Sequence, residues 1–190
     1  MKTLTILTAF GLALVAPLSV SAQDKAAHAH GHAASAVTSA VAVLLPTKGS
    51  EVKGTIRFTK ADDGIRVEGE VTGLTPGKHG FHVHEFGDIT SADGTSAGGH
   101  FNPTGEPHAD READKRHAGD FGNIEADASG TAKVNFVDKK ISFEGANSIL
   151  GRGLVVHAKA DDLKSQPSGD AGGRVAVATI GVAKGAAAAK

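Results

Sequence analysis

From Val37 onward, short apolar runs alternate with polar positions and are cut by turn dipeptides. Ile65 and Val67 alternate with Arg66 and Glu68, and Val134 and Phe136 flank Asn135, the period-two pattern of a half-buried strand. Asp63-Gly64, Pro76-Gly77 and Ser129-Gly130 mark turns between such runs. The pattern predicts strands over 37–45, 52–60, 64–72, 79–86, 131–138, 140–145, 153–160 and 174–182. Short strands with no convincing long helix predict an antiparallel sandwich or barrel. Two segments break the rhythm: 87–130 shows little strand pattern, and 161–173 is polar and contains glycine. A long structureless stretch is usually functional or disordered, and the first one holds three histidines.

The ends of the chain read differently. Lys2, the apolar run Leu4 to Ala16 and the small residues Val20-Ser21-Ala22 form a secretory signal over 1–22, with cleavage before Gln23. The run is too short for a membrane span of about 20 residues, so no membrane anchor is expected after signal removal. Residues 23–36 are Ala-rich, carry His28, His30 and His32, and are expected to form a flexible arm. The folded domain is expected over 37–183, with a frayed Ala-rich tail over 184–190. Export leaves periplasm and extracellular medium both open.

Composition narrows the chemistry. A chain of 190 residues fits one domain, and its 25 glycines follow no three-residue period, which excludes a collagen-like chain. Twenty basic against 21 acidic residues give a net charge of −1, no electrostatic footprint for nucleic acid. The absence of Cys excludes disulfides, thiolate zinc sites and a cysteine nucleophile. Metal ligation is left to histidine and carboxylate, and ten histidines are present.

His82 and His84 flank Val83 in a strand-like run, so both rings face the same side and can converge on one ion. His157 ends a second apolar run, Leu154-Val155-Val156-His157. His100, His108, His117 and Asp120 all fall in the long loop. Imidazoles plus a carboxylate suit a tetrahedral zinc site, and an imidazole-rich site with an open position suits copper. A single strand histidine is usually just packed or exposed; six at these spacings with Asp120 point to metal.

Longer motifs carry a resemblance. Gly80-Phe81-His82-Val83-His84-Glu85-Phe86-Gly87-Asp88, Ser96-Ala97-Gly98-Gly99-His100-Phe101-Asn102-Pro103, Arg116-His117-Ala118-Gly119-Asp120-Phe121-Gly122-Asn123, Gly151-Arg152-Gly153-Leu154-Val155-Val156-His157-Ala158 and Ala171-Gly172-Gly173-Arg174 follow in order. Over residues 40–182 the chain resembles the copper/zinc superoxide dismutase family, in a cysteine-free, exported form expected to be of bacterial type. The resemblance implies an all-β, eight-stranded antiparallel Greek-key β-barrel, a flattened immunoglobulin-like sandwich with two long functional loops. It implies copper at His82, His84, His100 and His157, and zinc at His100, His108, His117 and Asp120, with His100 shared. Asp161 matches the carboxylate that links a copper histidine to a zinc histidine, Arg174 the arginine that positions superoxide, and His79 a structural histidine. His100 and Arg174 would be the catalytic residues, and a homodimer is left open.

The sequence also departs from that family. Its intrachain disulfide would fall at about Gly94 and Val177, and both cysteines are gone together, with one extra residue near 92–94. Losing such a bridge typically costs about 2–5 kcal/mol. The charged loop over 161–173 is shorter by roughly six positions than in eukaryotic members, which predicts weaker electrostatic steering. His28, His30 and His32 offer auxiliary metal capture, or belong to a linker whose histidines do little. A dismutase is the expected function; an exported copper/zinc buffer with little turnover is the alternative, and a metal-free structural barrel has no use for the ligand set.

Overall fold

The computed structural model describes residues 36–184. The expected signal, the arm with His28, His30 and His32, and the tail beyond Lys184 lie outside the described residues. The strands are β1 (Ser39–Pro46), β2 (Lys53–Ala61), β3 (Gly64–Thr72), β4 (Gly77–His84), β5 (Asp120–Ala126), β6 (Ala132–Asp138), β7 (Gly153–His157), β8 (Arg174–Thr179) and β9 (Gly181–Val182). A single 3-10 turn, Thr95–Ala97, is the helical element among the described residues.

All pairings are antiparallel, in the order β1-β2-β3-β6-β5-β4-β7-β8 with β8 returning to β1. The eight strands therefore close into a barrel, and β9 continues β8 onto the start of β1. The neighbours β7-β4-β5-β6 place a returning strand beside the first of three successive ones, the Greek-key arrangement. Closure leaves no long open sheet edge. Inside, Leu44, Ile56, Phe58, Phe81, Phe121, Ile149, Leu154 and Ile180 are fully buried, with the Phe81 and Phe121 rings 5.7 Å apart.

Two strand expectations need correcting. The eighth strand is not 140–145 but β5, inside the segment read as loop. Asp120 and Asn123 interrupt its apolar pattern because they face the site, and Gly122 takes φ +72. Over 140–145, Asp138 Oδ1 accepts from the backbone N–H groups of Lys140 and Ile141 and turns the chain. Ile141 and Phe143 then join the barrel core from a loop whose one ladder contact is an isolated bridge, Ser142 to Ser148. The run 174–182 is likewise split at buried Ile180, whose N–H donates to Arg152.

Candidate metal centre

Strand alternation sorts β4 into two sides. Phe81 and Val83 enter the barrel core, leaving His82 and His84 on the outer face. Across the ladder His82 pairs with Val155, so His157, two residues further along β7, shares that face. Outside the barrel, Val155 packs with Ala97, Val177 and Ile89 in a small apolar cluster that seats the loop after β4. The loop returns so that His100 bridges to His84, while Phe101 and Gly119 bond to Val83. Gly119 must be glycine there: an added Cβ would lie 2.2 Å from the Val83 carbonyl oxygen.

Two clusters result, each with ligand atoms within 4.8 Å of one another: His82, His84, His100 and His157, and His100, His108, His117 and Asp120. Both contain His100. All seven sequence-predicted ligands are thus brought together.

Hydrogen bonds fix which ring nitrogen is free. His84 Nδ1 lies 2.9 Å from Gly98 O and His157 Nδ1 3.1 Å from Gly172 O. A carbonyl only accepts, so both Nδ1 atoms donate and both Nε2 atoms are bare acceptors. Those two lone-pair nitrogens are only 3.3 Å apart. His82 Nε2 contacts Asp161 Oδ2 at 2.7 Å, which leaves buried His82 Nδ1 without a partner. His100 Nε2 is also buried and unpartnered. Facing lone pairs and orphaned buried nitrogens are unfavourable unless a cation sits among them, so the first cluster fits a metal ion.

The second cluster is built on a carboxylate. Asp120 Oδ1 lies 2.9 Å from His100 Nδ1, 2.9 Å from His108 Nδ1 and 3.2 Å from His117 Nδ1. Its Oδ2 accepts from the backbone N–H groups of Ala109 and His117, which fixes the carboxylate plane. Three imidazoles and one carboxylate are the donor set of a closed tetrahedral zinc site. Asp161 joins the clusters, its Oδ1 3.0 Å from His108 Nε2 and its Oδ2 on His82. Asn123 holds Asp161 in turn through paired bonds of 2.8 and 2.9 Å to its backbone.

The electrostatics follow burial. Desolvation pushes His82 down to about 3 and His157 to about 4, and holds His84 and His100 low, against the pull of their hydrogen bonds. Burial acts the same way on His108, but its bonds to Asp120 and Asp161 win and raise it to about 9. Burial would raise both carboxylates; their histidine bonds outweigh it and hold them well below the usual carboxylate range. The neutral imidazoles of the first cluster and the ionised carboxylates are the protonation states a cation requires, whereas His108, held protonated by its two carboxylate partners, must give up its proton to become a ligand.

Arg174 opposes His157 across β7 and β8, and its guanidinium donates to the carbonyls of Gly94 and Gly98. It is half-buried, and burial lowers its pKa from the usual guanidinium value. Gly94, with φ +78, turns its carbonyl to the arginine, and a Cβ there would lie 2.7 Å from Val177 Cγ1. The two positions where the sequence lacks cysteines therefore face each other. His79 has both nitrogens occupied, Nδ1 at 2.8 Å from His157 O and Nε2 at 2.8 Å from Thr75 O, and serves structure. Sequence reasoning gave no role to Asn123, the last residue of the Arg116–Asn123 motif, or to Gln166, a polar residue in a segment with no motif of its own. It also missed Gly98, whose carbonyl serves both His84 and Arg174.

Fold and clusters define a class: closed antiparallel barrels able to hold two metal ions in adjoining, imidazole-rich cages. The family model of copper/zinc superoxide dismutase matches residues 52–180. A superoxide dismutase [Cu-Zn] of Onchocerca volvulus is 48% identical over 156 residues, covering 76% of this chain and 96% of that protein. An extracellular superoxide dismutase [Cu-Zn] of Brugia pahangi is 46% identical over 152 residues, 75% of each chain. A solved structure described as the clock protein EA4 superposes with a TM-score of 0.72 at 41% identity, covering 78% of this chain and 97% of that one. The chain belongs to the copper/zinc superoxide dismutase family. The expected bacterial type is not borne out: the two curated relatives named above come from nematodes.

Proposed function

We propose that this chain dismutates superoxide, converting two superoxide anions and two protons to one O₂ and one H₂O₂. The observation that carries the reading is His100, shared by two metal-competent clusters beside a half-buried arginine. Copper would be held by His82 Nδ1, His84 Nε2, His157 Nε2 and His100 Nε2, the nitrogens that hydrogen bonding leaves free. Zinc would be held by the Nδ1 atoms of His100, His108 and His117 with Asp120. Bound copper supplies a one-electron couple that accepts an electron from one superoxide and returns it to the next, while redox-inert zinc supplies fixed charge.

The chain's own residues do the rest. Arg174 presents a permanent positive charge and a planar fork of donors to a small anion. Its bonds to Gly94 and Gly98 fix the guanidinium, so little orientational freedom is lost when the anion arrives. His100 Nε2 has one lone pair, so it could carry a proton, and give it up as peroxide forms, only while that nitrogen is not ligating copper. Asp161 and Asp120 hold the ring orientations against which these events occur.

A copper/zinc buffer would share the ligands but has no use for Arg174. Superoxide decay with the metal-loaded chain and with Arg174→Ala distinguishes the two. Dismutation predicts fast decay that falls at least tenfold in the variant at unchanged metal content; slow decay in both would establish the buffer.

Two finer readings accompany it. Export over residues 1–22 is supported by the signal-like sequence and by the extracellular name of the Brugia relative, which favours the extracellular medium over a periplasm. A homodimer is supported by Val43 and Leu45 on β1, Val182 on the paired β9, and Phe86, large apolar side chains left exposed. Sedimentation of the intact chain and of Phe86→Glu tests it, and a wild type that stays monomeric at micromolar concentration would overturn it.

A further inference from the structure

We propose that Gln166 is a positioning residue for the zinc cage, acting by clasping the backbone of His108. The inference rests on the reading of His100, His108, His117 and Asp120 as zinc ligands. His108 is buried yet lies in a stretch without regular structure. Neither its N–H nor its C=O has a main-chain partner among the described residues. Gln166 supplies both: Oε1 accepts from His108 N–H at 2.8 Å, and Nε2 donates to His108 O at 2.8 Å. A backbone N–H can only donate and a carbonyl only accept, so this amide orientation is dictated. The pair works like one rung of a strand ladder between segments 58 residues apart.

The turn that carries Gln166 also covers the ring it positions. Gly169 N–H donates to Ser165 O at 2.7 Å, and Asp162 N–H donates to Gly169 O at 2.9 Å. The second Asp162 contact, Oδ1 accepting from Ser165 N–H at 2.8 Å, closes the turn on itself. Gly169 thereby lies bare against the Asp161–His108 hydrogen bond: an added Cβ would be 1.8 Å from Asp161 Oδ1 and 2.7 Å from His108 Nε2. Its φ of +72 is a further requirement for glycine. One end of the turn thus fixes the His108 backbone while the other encloses the bond that sets its ring. The loop that looked merely shortened grips the zinc side of the site.

Zinc dissociation constants from competition with a chromophoric chelator test this in the full chain. Gln166→Ala and Gln166→Glu are compared with wild type, with Lys164→Ala as a control for disturbing the loop and His117→Ala as a control for the cage. Cobalt(II) spectra of the same proteins report ligand geometry. Gln166→Glu keeps the acceptor for His108 N–H but sets a carboxylate oxygen against the carbonyls of His108 and Lys164. Both Gln166 variants are expected to bind zinc about 10–100-fold more weakly with a shifted cobalt spectrum, and Lys164→Ala to match wild type. Wild-type affinity and spectrum in the Gln166 variants, or an equal loss in Lys164→Ala, would overturn the positioning role. A wild type whose zinc affinity is indifferent to His117→Ala would instead overturn the zinc assignment, and the clasp with it.

Discussion

Asp138→Ala removes one half of the buried ion pair that anchors the zinc-side loop to the barrel. Arg116 is 3% exposed and its Nη2 donates to Asp138 Oδ2 at 2.6 Å. The remaining guanidinium bonds go to backbone carbonyls: Nε to Arg111 at 2.7 Å, and Nη1 to His117 at 3.0 Å and Ala118 at 3.2 Å. Truncation leaves an uncompensated buried cation, which costs about 3–5 kcal/mol. It also orphans the N–H groups of Lys140 and Ile141. Many buried pairs can be replaced by apolar residues without loss, but Arg116→Met/Asp138→Leu is not expected to recover here. Three carbonyls lose their donor and the Lys140 and Ile141 N–H groups lose their acceptor, at about 1 kcal/mol each, so the double variant stays about 3–5 kcal/mol below wild type. Urea denaturation of the metal-free proteins, with m compared among them, measures both values. A loss below about 1 kcal/mol in Asp138→Ala, or full recovery in the double variant, would refute this reasoning.

Acid should destabilise the metal-free chain well before its carboxylates titrate. Burial keeps His82 at about 3 and His157 at about 4 in the fold, whereas both take up protons near 6.5 when unfolded. Their contribution is complete above pH 6.5 and is lost as pH falls toward 4, by about 1.4 kcal/mol per unit for each group. His108, raised to about 9, stays protonated in the fold and opposes them only near pH 6.5, where the unfolded residue is still taking up its proton, so the net effect remains a loss. Urea midpoints that stay flat between pH 7 and pH 5 would contradict the burial argument. Gly94→Ala should cost about 1 kcal/mol from its left-handed backbone and lower the rate at unchanged metal content. The added Cβ meets Val177 and shifts the carbonyl that holds Arg174, so an unaltered rate would contradict that link. Superoxide decay should fall less steeply with ionic strength than in relatives with a full-length charged loop, because Lys164 and Arg174 are the only cations over 161–174. An equally steep fall would restore long-range steering.

Apolar runs bounded by turn signals were enough to place seven of the eight barrel strands within a few residues. β2 and β3 bury one face by alternation, whereas β4 and β7 are buried on both and read as continuous apolar runs. β5 escaped because Asp120 and Asn123, recruited to the site, break its apolar rhythm. Residues 140–145 misled for the converse reason: Ile141 and Phe143 are apolar because they plug the core, yet Asp138 bends their backbone away from any ladder. The histidines that the fold gathers into two clusters were legible from residue type, spacing and motif. Their tautomers were not, since Gly98 O, Gly172 O and Asp161 decide which nitrogen is free, and those neighbours are set by the fold. Gln166 was invisible for the same reason, being an exposed polar side chain whose meaning depends on where His108 is carried.

Superoxide decay catalysed by the chain loaded with one copper and one zinc, beside His157→Ala, tests the central reading most directly. Dismutation predicts rapid turnover by the wild type and its loss in the variant, with zinc still bound by the cage that lacks His157. Slow decay by a wild type that demonstrably holds both metals would contradict it.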